Sequence, residues 1–411
     1  MINILKPELC CGCAACVQRC PKHCIAFYED AQGFLYPRVD KGKCINCGLC
    51  EKVCPIINKN PSVKMPEEVI AYKNMNDDIR KSSSSGGFFT AIAEKIISQD
   101  GVVFGARFDE HWNVVHDYTE TQEGLPAFRM SKYVQSRIGD TFRQTEAFLK
   151  NGRKVLFTGT PCQISALHLF LRKSYENLYT LDFVCHGVPS PGVFRWYLQE
   201  ELNKVAYGDK NSDSFPTIHS IPKENVHCPD GLELKSIRFR DKCTGWKKYS
   251  FALDFAKATA AGEKIQFMLS TDLSKNPFIN GFINDLYLRP SCYKCPSKSL
   301  SSNSDFTVAD FWGQENSFPE FDNNTGVSAV FANTPKSKCL INELQNSLIK
   351  HIAFDVFYSE NPSLCHSVNL KRRTIKFWKY YGKYSFTETI QMAIQNDFID
   401  ILIKAKHRLF K

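Results

Sequence analysis

Eight cysteines near the N-terminus follow one spacing that occurs twice. Both runs have the pattern C-x2-C-x2-C-x3-C-P, and they begin 34 residues apart, at Cys10 and Cys44. Three thiolates from one tight loop fit three corners of an iron-sulfur cubane, and in two-cluster proteins the last cysteine of each run ligates the other cluster. The spacing therefore predicts two [4Fe-4S] clusters with exchanged ligands. The first ligand set is Cys10, Cys13, Cys16 and Cys54, and the second is Cys20, Cys44, Cys47 and Cys50.

Zinc is the alternative, since CxxC pairs also suit tetrahedral zinc sites. Zinc explains neither the third cysteine of each run nor the proline after the fourth, so iron-sulfur clusters are the favoured interpretation. Cys11 and Cys24 lie outside both runs and are predicted to be spare thiols beside the clusters. The exchange of ligands ties residues 1–57 into one small ferredoxin domain whose folding depends on its metal.

Two further pairs of cysteines stand where a metal or redox role is plausible. Cys162 follows a short apolar strand, and Cys185 follows the next strand along the chain. A strand, a helix and a strand predict a right-handed crossover with parallel strands, which brings both thiols to the edge where open α/β sheets bind ligands. Cys292 and Cys295 are spaced to chelate one centre. Spacing alone leaves a third cubane, a separate redox pair and buried thiols as alternatives.

A loop of serines and glycines at 82–87 precedes an apolar-periodic helix that begins near Phe88. Free backbone N–H groups and hydroxyls at the positive end of a helix favour binding of a cofactor phosphate. Ser-rich loops more often only cap a helix, so capping is the favoured interpretation of this loop taken alone.

The chain is long enough to place these groups on two or three domains. Of its 411 residues, 43% are hydrophobic and 23% are charged, and no apolar run is long enough to span a bilayer. Residues 58–68 contain two prolines and mixed charge without apolar periodicity, which predicts a linker. Because nine residues before Cys10 leave no room for a signal peptide, we expect a cytoplasmic protein with reduced or metal-bound cysteines.

Six short motifs are spread over the region behind the linker. They are Ser84-Ser85-Gly86-Gly87-Phe88, Ser131-Lys132-Tyr133-Val134, Gly159-Thr160-Pro161-Cys162-Gln163, Cys185-His186-Gly187, Cys292-Tyr293-Lys294-Cys295 and Asp310-Phe311-Trp312-Gly313. Together they resemble the coenzyme F420 hydrogenase/dehydrogenase beta-subunit family, whose N-terminal part would span 69–200 and whose C-terminal part would span 201–370. The expected fold is multidomain, combining α+β and α/β regions. A bacterial two-cluster ferredoxin fold precedes a mixed α/β flavin-binding catalytic region with a mostly parallel sheet, and a helical tail follows.

This resemblance implies an FAD and a third [4Fe-4S] cluster in the catalytic region. The implied FAD contacts are Ser84, Ser85, Gly86, Gly87, Ser131, Lys132, Tyr133, Gly159 and Thr160. The implied ligands of the third cluster are Cys162, Cys185, Cys292 and Cys295. A cubane exchanges one electron whereas most organic reductions need two, and a flavin converts between the two modes.

The expected function is that of an iron-sulfur flavoprotein oxidoreductase. Electrons would pass from a reduced ferredoxin or another low-potential donor through the clusters to FAD and an organic acceptor, and the reverse direction is equally allowed. The segment at 239–247 is similar to one in ferredoxin-fused bacterial members associated with surface-polysaccharide genes, which favours a step in such a pathway. The alternatives are reduction of coenzyme F420 itself and a non-catalytic electron-relay subunit of a larger hydrogenase-type or dehydrogenase-type complex.

Several residues outside the cofactor motifs have two interpretations each. Arg240, Lys242 and Lys247 could bind an anionic substrate, and Trp246 could stack on a ring in it. The alternative, which is favoured, is that these residues lie on a solvated strand edge. His186 is expected to be a hydrogen-bonded core histidine rather than a proton donor. Asp310 either caps a turn or positions a cofactor. No catalytic residue is assigned.

Residues 371–411 are predicted to form a basic amphipathic helical tail. They contain ten Lys/Arg and three Asp/Glu, so +7 of the net charge of +9 lies there. Ser385 and Glu388 form a capping box before an apolar helical stripe that begins at Ile390. Packing on the protein's own domain is the favoured interpretation, and contact with an acidic membrane surface is the alternative. No aromatic-basic motif accompanies the charge, which argues against nucleic acid as a partner.

Overall fold

The computed structural model describes residues 2, 6–59, 65–208, 225–258, 264–313, 318, 321, 324–358 and 361–395. The strands are β1 (Ile25–Glu29), β2 (Leu35–Val39), β3 (Glu68–Asn74), β4 (Val102–Phe108), β5 (Val114–Thr119), β6 (Val155–Thr158), β7 (Leu178–Phe183), β8 (Leu232–Asp241), β9 (Ser250–Ala258), β10 (Lys264–Asp272), β11 (Phe306–Asp310), β12 (Ser328–Ala332) and β13 (Ser347–His351). The α-helices are α1 (Ala15–Arg19), α2 (Leu49–Lys52), α3 (Asp77–Lys81), α4 (Phe88–Ile97), α5 (Thr141–Lys150), α6 (Pro161–Leu171), α7 (Pro191–Tyr207), α8 (Pro277–Ile283), α9 (Pro335–Asn342), α10 (Phe354–Tyr358), α11 (Arg372–Tyr380) and α12 (Phe386–Ile394). Short 3-10 helices lie at Pro7–Leu9, Leu125–Phe128, Pro290–Lys294 and Pro362–Leu364.

Residues 6–57 form a small unit, here called the head, around the antiparallel β1–β2 hairpin and the helices α1 and α2. Each helix contains the third cysteine of its run, Cys16 or Cys50. Each helix also begins after a residue with left-handed backbone, Ala14 at φ 61° and Gly48 at φ 71°. These two residues reverse the chain between the second and third cysteines of each run. Glycine adopts this conformation readily, whereas in alanine it costs roughly 1 kcal/mol.

The rest of the described chain, here called the body, is built on an eight-stranded sheet in the order β13-β3-β12-β11-β7-β6-β4-β5. Its four central strands β11, β7, β6 and β4 pair in parallel. The outer pairings are antiparallel, yet five of the eight strands run in one direction because β3 points the same way as the central four. The prediction of a mixed α/β fold is confirmed, with the parallel strands at the centre of the sheet.

The predicted strand, helix and strand are present as β6, α6 and β7. Val155, Leu156 and Phe157 of β6 are fully buried, as expected for a central strand covered on both faces. Thr160 caps α6 through a capping box with Gln163, and Pro161 occupies the first helical turn. This sharp start fixes the helix at the carboxyl edge of the sheet, where β3, β4, β7 and β11 also end.

A second, antiparallel sheet of β8, β9 and β10 lies beside the central one. It shares a hydrophobic core with α7 and α8, whose largest buried side chains include Trp196, Tyr197 and Phe278. Because β8 ends at Asp241, this sheet delivers the predicted basic segment to the region of the carboxyl edge.

The described part of the tail contains two helices, α11 and α12, with the predicted capping box at Ser385. Phe386, Ile390 and Ala393 of α12 are buried in the same core as α7 and α8. This packing favours the interpretation that the tail rests on its own domain. The rest of the predicted tail, 396–411, lies outside the described residues. None of the described helices combines the length and apolar character needed to cross a bilayer.

Glu200 of α7 anchors the tail, because both of its carboxylate oxygens accept a hydrogen bond from the backbone N–H of Phe386. Burial raises the pKa of Glu200 to about 7, although the Phe386 N–H opposes the rise. An ordinary glutamate in the unfolded chain has a pKa near 4.3, so the folded state binds more protons between these values. Stability is therefore expected to fall as the pH rises from about 4.5 to 7, by up to about 3 kcal/mol from this group.

Glu200→Gln is expected to remove most of this pH dependence. The measurement is urea unfolding under anaerobic conditions at pH 5.5 and pH 8, with Glu201→Gln as the matched control because Glu201 pairs with Lys204 and is less buried. An unchanged difference between the two pH values in Glu200→Gln would show that Glu200 does not titrate with folding.

Candidate redox centres

The eight cysteines of the head separate into two groups, and each group lines its own pocket. The inner set is Cys10, Cys13, Cys16 and Cys54. The outer set is Cys20, Cys44, Cys47 and Cys50. The last cysteine of each run lies with the first three of the other run. The structure thus brings together the same two sets that the spacing predicts.

The two sets differ in their access to solvent. All four cysteines of the inner set are buried, whereas Cys47 of the outer set is exposed and Cys44 is half-buried. Ile45 beside them is 57% exposed. Cys24, predicted to be a spare thiol, lies beside the outer set with its sulfur 3.3 Å from that of Cys20. The outer set therefore faces the surface of the head.

The inner set is chemically suited to a metal cluster rather than to free thiolates. Burial raises the pKa of Cys16 well above that of a free thiol, and the neighbouring thiols of Cys10 and Cys54 raise it further. Four thiolates this close in an apolar site need bound cations to be stable. Across the described ranges, no three His, Cys, Asp or Glu side chains converge as a single metal ion requires. The four thiols of the inner set instead line one pocket.

The four other predicted cluster ligands, here called the body set, also meet at one pocket. Cys162 lies in the first turn of α6, Cys185 follows β7, and Cys292 and Cys295 belong to or directly follow the 3-10 helix at Pro290–Lys294. All four line an open pocket of about 580 Å³. Burial raises the pKa of Cys292 to about 12 and that of Cys295 to about 11. The structure brings this set together as well.

Cys11 connects the head to the body set. It lines both the inner-set pocket and the body-set pocket. Cys11 shares a side-chain hydrogen bond with Cys162, and this contact together with burial raises the pKa of the Cys162 thiol. The body set thus has a fifth thiol that the spacing of the cysteines does not assign to it. In the sequence, the adjacency of Cys10 and Cys11 is the one feature that points to this role of Cys11.

Arg289 occupies the same junction and is fully buried. Its nitrogens donate to the carbonyls of Cys10 (2.6 Å) and Leu35 (2.9 Å) and to Oε1 of Gln135 (2.8 Å), all uncharged oxygens. The guanidinium lies 4.4 Å from the ring centre of Tyr36. A buried positive charge therefore stands between the inner set and the body set. Sequence reasoning did not single out Arg289 or Gln135.

The head is fixed to the body by close contacts on its other side. Glu29 of β1 forms a buried ion pair with Arg195 of α7 at 2.5 Å. The backbones of Gly33 and Gly192 approach so closely that a Cβ at Gly33 would lie 2.5 Å from Cα of Gly192. A Cβ at either position would therefore force these two backbone segments apart.

The Ser/Gly loop and the Ser131 segment, both predicted to contact FAD, lie together at the carboxyl edge. The hydroxyl of Ser84 is 2.8 Å from that of Ser131 and accepts a hydrogen bond from its backbone N–H. The N–H of Gly86 donates to Ser328 of β12, so the loop is partly committed to the sheet. Gly87, at φ 85°, directly precedes α4. Ser85 donates to the carbonyl of Val327.

The remaining predicted FAD contacts lie along the same edge. Lys132 donates to the carbonyl of Arg129, and burial lowers its pKa to about 7. The ring of Tyr133 stacks on Phe282 with centres 4.6 Å apart. Gly159 and Thr160 follow β6, and the Thr160 hydroxyl lies 3.2 Å from the sulfur of Cys162. These two residues are therefore placed beside the body set.

The basic segment departs from its favoured interpretation at two positions, whereas Lys247 is exposed as that interpretation expects. Arg240 and Trp246 are 3% and 1% exposed, so a solvated strand edge is wrong for both. Asp310 forms an ion pair with Arg240 at 2.7 Å. His186 hydrogen-bonds Asp285 at 2.6 Å, as expected, but it lines the body-set pocket and is only partly buried.

Comparisons with known proteins agree with this layout. Residues 152–353 match the family model for the C-terminal region of the coenzyme F420 hydrogenase/dehydrogenase beta subunit, and residues 9–56 match the 4Fe-4S dicluster domain. The chain belongs to the coenzyme F420 hydrogenase/dehydrogenase beta-subunit family. Its head is a 4Fe-4S dicluster domain of the ferredoxin type.

Three known proteins each match one part of this chain. A 7Fe ferredoxin of Hydrogenibacillus schlegelii is 41% identical over 68 residues, 16% of this chain and 81% of that protein. A ferredoxin of Saccharopolyspora erythraea is 37% identical over 73 residues, 18% of this chain, and the match spans 64% of that ferredoxin. An uncharacterized protein of Methanocaldococcus jannaschii is 25% identical over 199 residues, 41% of this chain and 54% of that protein.

Among solved structures, a chain of the F420-reducing [NiFe] hydrogenase complex from Methanosarcina barkeri is similar to this family member. The TM-score is 0.40 at 14% sequence identity. The alignment covers 81% of this chain and 91% of that chain.

Proposed function

We propose that this protein is an iron-sulfur flavoprotein oxidoreductase. In it, single electrons pass from a low-potential donor through three [4Fe-4S] clusters to FAD and then to an organic two-electron acceptor. The observation that carries the proposal is the succession of three cysteine sets from the surface inward. The outer set faces solvent, the inner set is buried, and the body set adjoins the inner set through Cys11 and Arg289.

The chain's own residues would hold the clusters in this order. The thiolates of the outer, inner and body sets would each ligate one cubane, a group that stores and releases one electron. Burial of the inner set excludes water, and Arg289 supplies a positive charge beside two anionic clusters. The domain limits expected from the sequence, 1–57, 69–200, 201–370 and 371–411, belong to the same proposal.

FAD would lie at the carboxyl edge of the central sheet, where open α/β sheets bind their ligands. Ser84 and Ser131 would offer hydroxyls, Tyr133 an aromatic face and Lys132 a buried amino group, with Gly159 and Thr160 beside the body set. When bound, a flavin accepts electrons singly and delivers them in pairs. For the acceptor we favour a step in a bacterial surface-polysaccharide pathway, on the resemblance of 239–247, over coenzyme F420.

The donor would be a ferredoxin or a similar small carrier that meets the outer set. Lys22, Lys41 and Lys43 are exposed around this set, with Asp40 paired to Lys43 at 3.5 Å. A mainly basic surface with exposed Ile45 at its centre suits an acidic carrier that docks briefly. The cytoplasm remains the expected location for this exchange.

Anaerobically purified protein is expected to contain about twelve iron atoms, an equal amount of acid-labile sulfide and about one FAD per chain, since each of three cubanes holds four irons. Reduced ferredoxin should bleach the flavin absorbance, and an organic acceptor should restore it. Iron without flavin would support the alternative of an electron-relay subunit. Protein that is colourless and lacks acid-labile sulfide would contradict the proposal altogether.

A further inference from the structure

We propose that Arg240, with the charge of Lys242 beside it, forms a binding site for an oxyanion, a phosphate or carboxylate group, at the carboxyl edge of the central sheet. The site goes beyond the clusters and the FAD contacts implied by the family motifs. It rests on the proposed function only in the identity of the molecule that carries the anion.

The first observation is the state of the Arg240 guanidinium. It is 3% exposed, and Nη1 donates to Asp310 at 2.7 Å. Its other donors, Nε and Nη2, are buried and have no hydrogen-bond partner among the described residues. These two nitrogens form the edge of a guanidinium that binds both oxygens of a phosphate or carboxylate at once. Burying a donor without a partner destabilises the folded state, so folded proteins contain few such donors.

The second observation is the balance of charge around Arg240. The amino group of Lys242 is held by the carbonyls of Arg80, Ser85 and Thr325 at 2.7 to 3.0 Å. Burial lowers the pKa of Lys242 to about 7, and the charge of Arg240 contributes to the shift. Arg240 is thus paired with Asp310, and a bound anion would favour the protonated form of the neighbouring Lys242.

The third observation is the aromatic wall of the site. The Arg240 guanidinium lies 4.7 Å from the ring centre of Tyr249 and 5.8 Å from that of Trp312. Trp312 stacks on Trp246 with centres 4.6 Å apart, and the indole Nε1 of Trp246 is another buried donor that meets no acceptor in the described part of the chain. The rings of Tyr249 and Trp312 therefore hold the guanidinium in place beside its ion pair with Asp310.

The surroundings narrow the source of the anion to two molecules. Lys242 donates to the carbonyl of Ser85 in the Ser/Gly loop. Tyr133 is close enough to Arg240 for the positive charge to lower the pKa of its hydroxyl, against the larger effect of burial. Both belong to the proposed FAD contacts. The oxyanion is therefore either the pyrophosphate of the flavin or an acid group of the organic acceptor. Both molecules would present the same oxyanion chemistry to Arg240, and the experiment distinguishes the flavin from the acceptor.

The test compares Arg240→Gln, Arg240→Lys and Asp310→Asn in the full-length protein purified without oxygen, with pyrophosphate as the probe. Calorimetry is run on the full-length protein after its flavin is removed, so that the flavin pyrophosphate does not fill the site. Arg240→Gln should then weaken pyrophosphate binding at least tenfold, and Arg240→Lys should have an intermediate effect. Asp310→Asn should tighten binding, because it removes the competing carboxylate. Opposite signs for the two partners of one ion pair cannot arise from a general loss of stability. Arg238→Gln, on the same strand, is the control because Arg238 pairs with Asp254 and Asp241 instead.

FAD content separates the two sources. If Arg240→Gln keeps its iron but retains less than a tenth of the FAD, the anion is the flavin pyrophosphate. If FAD is retained and pyrophosphate binding is weakened, the anion belongs to the acceptor. Unchanged FAD and unchanged pyrophosphate binding in Arg240→Gln would overturn the site, as would parallel losses in Asp310→Asn. Wild-type protein without FAD would refute the proposed function, yet its pyrophosphate binding would still test this site.

Discussion

Cys162→Ala is expected to lower the iron content by about four atoms per chain, since the cubane would lose one of its four cysteine ligands. The inner and outer sets do not include Cys162, so the spectroscopic signals of the head clusters should persist. The measurement is iron and acid-labile sulfide per chain, together with electron paramagnetic resonance of the reduced protein. A full iron content in Cys162→Ala would remove this residue from the ligands.

Cys11→Ala is the matched control, because Cys11 lies in the same pocket and touches Cys162. Five thiols surround a group that has four corners to ligate. We expect Cys11→Ala to keep all of its iron, since the family motif places the ligand at Cys162. The reverse result, iron lost from Cys11→Ala alone, would make Cys11 the ligand and the motif assignment wrong. Iron lost from neither variant would argue against a third cluster.

The ferredoxin head was predictable because its chemistry is local. The spacing of each cysteine run fixes a loop of a few residues, and the left-handed Ala14 and Gly48 turn that loop around its cluster site. The crossover from β6 to β7 was equally predictable, since its apolar strands and the capping box of Thr160 are contiguous in sequence. Both features arise from residues that are close along the chain.

The junction between head and body was not predictable, because its partners are far apart in sequence. Arg289 contacts Cys10 across 279 positions, and Cys11 meets Cys162 across 151. Arg240 was misjudged for a related reason. An arginine near a strand end has the same sequence pattern whether it faces water or, as here, aromatic rings and Asp310. Only tertiary packing decides between these surroundings.

Arg289→Met is expected to lower the reduction potentials of the inner-set and body-set clusters. Reduction adds a negative charge to a cluster, and the buried guanidinium stabilises that charge because its own hydrogen bonds go to neutral oxygens. At an effective dielectric constant of about 20, a unit charge roughly 8 Å away contributes about 2 kcal/mol. This corresponds to roughly 90 mV for a one-electron couple, which is more than a tenfold change in equilibrium.

The outer set provides an internal control for Arg289→Met, because it lines a separate pocket that does not include Arg289. Redox titration followed by electron paramagnetic resonance should show the outer cluster unchanged while the other two become harder to reduce. Arg289→Lys should restore most of the potential, since it keeps the charge and loses only the forked hydrogen bonds. If all three potentials shift equally, or if Arg289→Lys behaves like Arg289→Met, then Arg289 acts through packing. A lower reduction potential at the inner-set and body-set clusters opposes electron transfer from the outer-set cluster. If Arg289 acts through its charge, Arg289→Met should therefore also slow electron transfer from a reduced donor into the protein.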